Sequence, residues 1–246
     1  MCIHRMNATM INTHSLGQAP SSIPKTLVES AYAALRRDII EGKLIPGLKL
    51  RVEHLKDDYG VGAGTLREAL ALLVSDALVL TQGQRGFRVA PISAEDFEDI
   101  TRNRMLLECE ALRQSIALGD DAWEALVLAE FHRLSKAEAR LHNATPDSFD
   151  EWELRNRAFH NALISACSSR WMHHFLGILY QQAERYRRLV VARQPIPRDV
   201  HDEHEQLAQA AVARQSDRAA EILESHIWTT FEAVRHLPTT LFDPPQ

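Results

Sequence analysis

The chain has 246 residues, 45% of them hydrophobic, with 28 Lys+Arg against 33 Asp+Glu, a formal net charge of −5 and three cysteines. That length and apolar content suit two packed domains and exclude collagen-like, disulfide-stapled and wholly disordered classes. Cys2, Cys109 and Cys167 lie far apart, and no apolar run reaches the roughly 18 to 20 residues of a membrane span, so a soluble chain of the reducing cytoplasm with no membrane partner is expected.

Residues 1–24 are rich in small polar residues and read as a disordered leader. From Thr26 the pattern changes: Leu27, Ala31, Leu35, Ile39 and Ile40 recur at helical spacing, with Thr26 to cap the start and Gly42 to stop it. Pro46-Gly47 predicts a turn, 52–59 a short helix broken by Gly60, and 65–77 a third helix with Leu66, Ala69, Leu70, Leu73 and Val74 on one face. Two β-prone runs, 78–81 and 87–90, flank a glycine-containing loop and predict a hairpin. Pro91 closes this unit, and Ser93 with Asp96 three residues on opens a new helix in capping-box style. Beyond it, helices are expected over about 95–118, 121–142, 149–168, 171–193, 199–214 and 217–236. The division is therefore a leader (1–24), an N-terminal domain (25–91), an all-helical domain (92–238) and a tail (239–246). The fold class is mainly α, a winged helix-turn-helix followed by an all-α bundle of about six helices.

Three helices followed by a hairpin is the order in which the helix after the tight turn enters the major groove and the hairpin reaches the backbone or a neighbouring groove. The third helix opens on Gly64, Thr65 and Arg67, a helix N-terminus suited to phosphate and an arginine suited to a phosphate or a guanine edge. Arg51, and Gln84, Arg85 and Gly86 at the wing tip, complete the expected DNA-contacting set. The overall negative charge argues against nucleic acid only as an average. Residues 25–91 carry a net +2, whereas 92–246 carry −8. Double-stranded DNA remains a fitting partner for the first segment.

These residues carry a resemblance. Ala34-Leu35-Arg36, Gly42, Pro46-Gly47, Leu66-Arg67-Glu68-Ala69-Leu70 and Gly86-Phe87-Arg88-Val89 resemble the GntR family of bacterial transcription regulators. The helical remainder is similar to the FadR-type branch with an FCD ligand-binding domain, and Asp150-Glu151-Trp152-Glu153-Leu154-Arg155 with Ala158-Phe159-His160 is similar to its CsiR-like members. Where the wider family has Val-Ser-Arg-Thr-Pro before the recognition helix, this chain has Val61-Gly62-Ala63-Gly64-Thr65, so Ala63 replaces a base-reading arginine. The resemblance implies a DNA operator as partner, a homodimer and a repressor.

In the helical domain, Asn156 and His160 are four residues apart and share a helix face, and two further helices supply His204 and His226. Imidazoles converging in a bundle hold divalent metals; separate hydrogen-bonded histidines are the alternative reading of the spacing alone. The resemblance implies the first: Asn156, His160, His204 and His226 match the metal-holding positions of FCD domains, with zinc or nickel as the expected ion. It also matches Arg104 and Glu108 to the family's Arg-x-x-x-Glu pattern, implying that Arg104 clamps a small carboxylate effector. Arg185 and Tyr186 on the fourth bundle helix are further candidates for effector contact, with the inward-facing side left open. Two other readings compete: a metalloenzyme acting on a small carboxylate, and a regulator whose effector is the metal itself. Against an enzyme, His160 is followed by Asn161 and Ala162, and no H-E-x-x-H pattern occurs.

Overall fold

A computed structural model of the chain describes residues 26–83, 86–141, 146–191, 200–236 and 238. The expected leader and nearly all of the tail, the wing residues Gln84 and Arg85, and the Pro195-Ile196-Pro197 break lie outside these residues.

The N-terminal unit is built from α1 (Leu27–Ile40), β1 (Lys49–Leu50), α2 (Val52–Asp58), α3 (Ala63–Ser75), β2 (Val79–Thr81) and β3 (Phe87–Val89). A reciprocal capping box starts α1: the Glu29 N–H donates to Thr26 Oγ1 over 3.1 Å, and the Thr26 N–H donates to the Glu29 carboxylate over 3.0 Å. The apolar stripe of α1 (Ala31, Leu35, Ile39) meets that of α3 (Leu66, Ala69, Leu70, Leu73) in one core with Leu55, Leu78, Val79 and Val89. Helix α2 ends at Tyr59, after which Gly60 takes a φ of 63°, the left-handed exit that glycine adopts without strain. The recognition helix begins at Ala63 rather than Gly64 and ends at Ser75 rather than Ala77. Its end is fixed by two backward bonds, Ala77 N–H to Val74 O and Leu78 N–H to Leu73 O.

The sheet is antiparallel with order β1-β3-β2; Val79 pairs with Val89, Thr81 with Phe87, and Leu50 with Phe87 on the other side. Strand β1 was not anticipated, because two residues show no alternation.

The helical domain comprises α4 (Ala94–Leu118), α5 (Asp121–Glu138), α6 (Pro146–Leu163), α7 (Arg170–Val191), α8 (Val200–Val212) and α9 (Ser216–Arg235). Helix α4 packs chiefly against α9 and α7, while α5 packs against α6 and α8. Ser93 caps α4 by accepting the Asp96 N–H, and Asp120 caps α5 by accepting the Trp123 N–H. Between these two helices the chain passes so close to Trp123 that a Cβ on Gly119 would lie 2.5 Å from its ring, which explains the glycine there. Helix α5 stops at Glu138, four residues short of the expected end, and α6 starts at Pro146, three residues early. Proline suits a first helical position because it has no N–H to leave unpaired.

Candidate metal centre and nucleic-acid interface

On the head, the face of α3 turned away from the core carries Gly64, Arg67, Glu68 and Ala71, all exposed. Thr65 is half-buried in the same first turn, and Gly62 is the N-cap with no side-chain bond to the first N–H groups. Those groups are therefore open to an anion. Arg51, exposed, stands at the N-cap of α2. Across the sheet the Gln82 N–H donates to Gly86 O over 2.8 Å, and Gly86 has a φ of 94°, so the wing closes where the sequence pattern placed it. Arg88 donates to Gly47 O, tying the wing to the turn before β1.

The three candidate histidines are brought together, and Asn156 lies one helical turn before His160. Asn156 and His160 come from α6, His204 from α8 and His226 from α9, and one ring nitrogen of each histidine lies within 4.8 Å of the others. All four side chains are buried. Each histidine points its Nδ1 at a carboxylate: His160 at Glu108 (2.8 Å), His204 at Glu138 (2.6 Å) and His226 at Glu203 (2.7 Å). Such a carboxylate fixes the ring and the tautomer, which directs Nε2 to a metal and raises its basicity. Two polar atoms of these residues are buried without a partner, Asn156 Oδ1 and His204 Nε2. Burial also lowers the His204 pKa, which favours the neutral imidazole that a metal requires. Three imidazoles and one amide oxygen, with His204 Nε2 and Asn156 Oδ1 among them unpartnered, fit a divalent transition-metal ion.

Arg104 is no surface ion-pair residue. Its side chain is only 5% exposed, and it donates from a terminal NH2 to Glu108 Oε2 over 3.0 Å. Glu108 thus joins three groups, taking Arg104 on one oxygen and His160 and the Tyr180 hydroxyl on the other. Its burial favours protonation, but Arg104, His160 and Tyr180 outweigh that and hold the carboxyl at about 2. The Arg104 guanidinium lies 4.4 Å over the Tyr180 ring, and its Nε is buried without a partner.

Arg185 and Tyr186 are placed elsewhere. The Arg185 guanidinium donates to Ala90 O (2.6 Å) and Gln182 Oε1 (3.1 Å), and the Tyr186 hydroxyl donates to Asp96 (2.6 Å) and accepts the Ser93 N–H (3.1 Å). These polar atoms are engaged where the head meets the bundle, not at the histidines. His201 sits on the rim, 43% exposed, with its Nδ1 on the other oxygen of Glu138. Sequence reasoning missed Glu138 and Glu203. Glu203 adjoins His204 in sequence yet serves His226 on α9, a pairing that only the helix neighbours decide.

The comparisons agree with this architecture. Residues 27–89 match the family described as "Bacterial regulatory proteins, gntR family", and residues 99–228 match the FCD domain. The chain is 46% identical over 239 residues to the uncharacterized HTH-type transcriptional regulator BphR of Paraburkholderia xenovorans, covering 94% of this chain and 98% of that one. It is 39% identical over 208 residues to the HTH-type transcriptional repressor GlaR of Escherichia coli, covering 83% and 94%. In fold it is similar to McbR/YncC of E. coli (TM-score 0.71, 19% identity, 85% of this chain and 97% of that one). A GntR regulator from Rhodococcus sp. RHA1 gives a TM-score of 0.69 at 20% identity, covering 86% and 98%. These relatives are transcription regulators, not enzymes, so the metalloenzyme reading is set aside. The chain belongs to the GntR family of bacterial DNA-binding transcription regulators, in the FadR-type branch that carries an FCD domain.

Proposed function

We propose that the protein is a homodimeric repressor whose helical domain holds a divalent metal and a small organic acid, the acid modulating operator binding by the head. The observation that carries the reading is the convergence of three buried histidines, each backed by its own carboxylate, with a buried, unpartnered Asn156 oxygen one helical turn before His160. His160, His204, His226 and Asn156 would hold the ion, zinc or nickel by ligand type. A bound divalent ion supplies a Lewis-acidic anchor for a carboxylate. Arg104 would hold the acid from the other side, because its buried Nε has no partner and its fork favours two parallel bonds to a carboxylate. Repression is supported by GlaR, which is named a repressor. Two heads related by two-fold symmetry would read two half-sites, compensating for the small positive charge of each head.

On DNA, the exposed start of α3 would lie in the major groove with Gly64 and Thr65 against phosphate and Arg67 on a base edge or phosphate; Arg51 and the wing at Gly86 would reach the flanking backbone. Gln84 and Arg85 complete this set as wing-tip contacts.

Fluorescence anisotropy at fixed moderate salt, with DNA from the region upstream of the protein's own gene, tests the reading. Arg67→Ala should weaken specific binding by about 1–3 kcal/mol without changing the melting temperature. Zinc-loaded protein should change affinity when mono- or dicarboxylates are added. If zinc alone changes it and no acid adds to the effect, the metal is the effector. Specific binding that Arg67→Ala leaves unchanged contradicts the DNA assignment.

A further inference from the structure

We infer that α7 carries the state of the buried histidine site to the DNA head, with Gln182 and Arg185 as the positioning residues that set the head on the bundle. At one point on α7, the Tyr180 hydroxyl donates to Glu108, the carboxylate that also holds His160 and Arg104. Within the next two turns the same helix grips the head. Gln181 accepts from Arg36 Nε of α1 over 3.2 Å, Gln182 donates to the Asp76 carbonyl at the end of α3 over 2.9 Å, and Arg185 donates to the Ala90 carbonyl over 2.6 Å. A rigid helix rises about 1.5 Å per residue, so Tyr180 and Arg185 are only about 8 Å apart along its axis. A shift of α7 at Glu108 therefore moves both carbonyl contacts.

Those contacts lie at the two ends of the wing segment. The Leu78 N–H closes the end of α3, the Ala90 N–H donates to Leu78 O over 2.9 Å, and Pro91 leads straight into the bundle. Pro91 itself is exposed, but Ile92 is buried among Phe97, Tyr186 and Phe231. The connection is a docked segment. Its hold is also reversible in principle, because docking buries a guanidinium whose hydrogen bonds go to a carbonyl and an amide and not to a carboxylate. Its desolvation opposes the bonds it makes, which keeps docked and released arrangements close in free energy. Gln182 and Arg185 act through backbone carbonyls, so they position α3 without touching DNA.

The inference rests on the metal-and-acid reading only for what biases α7, and the test separates the two. Hydrogen exchange at the Leu78 and Ala90 amides is followed in the full chain, metal-free and with zinc alone, alongside zinc content by mass spectrometry. In metal-free protein, Tyr180→Phe should speed exchange at both amides by about fivefold, the change that losing one buried hydrogen bond produces. Unchanged exchange there overturns the inference, whatever metal does. In the wild type zinc should alter exchange at both amides, and in Gln182→Ala that response should vanish while bound zinc stays the same, an outcome that a merely stabilising role for Gln182 would not give. Zinc that binds the wild type yet leaves both amides unaffected also overturns it. A wild type that binds neither zinc nor nickel refutes the metal reading alone, and the metal-free Tyr180→Phe arm then decides the inference by itself.

Discussion

Head and bundle solve opposite problems. Among the described residues, every buried side chain of the head is apolar, and its polar bonds, Tyr32 to Asp76 and Tyr59 to Asp38, run along the rim. The bundle buries Arg104, Glu108, Glu153, Asn156, His160, Arg187, His204 and His226. A head that works with its outer surface needs an interior that only holds shape. A bundle that bound its effector inside, as proposed, would have to place charge in its interior and satisfy that charge. On the proposed reading, the functional residues of the head are the exposed ones, and those of the bundle are the buried ones.

The largest expected effect breaks the bundle side of that comparison. Glu108→Ala leaves Arg104 buried and unpaired and frees His160 and Tyr180, so it should cost about 3–5 kcal/mol in chemical denaturation. A cost below about 1 kcal/mol, the ceiling for an exposed pair, would mean that the site is open to water. In the head, Leu70→Ala at a fully buried position should cost roughly 2–5 kcal/mol, lowering DNA binding through lost structure, whereas Arg67→Ala should lower it with stability intact. If the two variants lose stability alike, the exposed-face assignment of Arg67 fails.

A smaller effect appears at high pH. Burial, and then the bond to Asp76, pushes the Tyr32 hydroxyl from 10.0 up to about 12. A raised pKa in the folded state favours the protonated form, so this contribution is complete below pH 10 and is lost as the pH rises through 12. Circular dichroism during alkaline denaturation should show Tyr32→Phe losing less stability than the wild type between those values. Superimposable curves would show that the Tyr32–Asp76 bond contributes nothing.

Most of the fold was legible because apolar periodicity, caps and breaks agree along the chain: Thr26, Ser93 and Gly60 each end or begin an element as their chemistry dictates. What escaped was short or lacked a stop signal, such as β1 and the early end of α5. In the site, the helical spacing of Asn156 and His160 was readable, and the resemblance supplied His204 and His226. The orientation of α7 was not readable, for a physical reason. Gln182, Ala183, Glu184, Arg185, Tyr186 and Arg187 are buried in succession, because the helix is covered by the head, by α4 and α9, and by α6 through the Arg187–Glu153 pair. Over that stretch no exposed polar position marks a face, so the pattern could not assign Arg185 and Tyr186 to one neighbour. The carboxylates behind the histidines escaped for a related reason, since their partners lie on other helices.

The central claim is that the buried histidines form a metal site. Metal content of purified wild type and His204→Ala, measured by mass spectrometry with circular dichroism as the folding control, tests it most directly. Stoichiometric zinc or nickel is predicted in the wild type. In a still-helical His204→Ala, affinity should fall by more than the roughly 10–100-fold typical of losing an outer carboxylate partner. Equal metal content in the two proteins would contradict the claim.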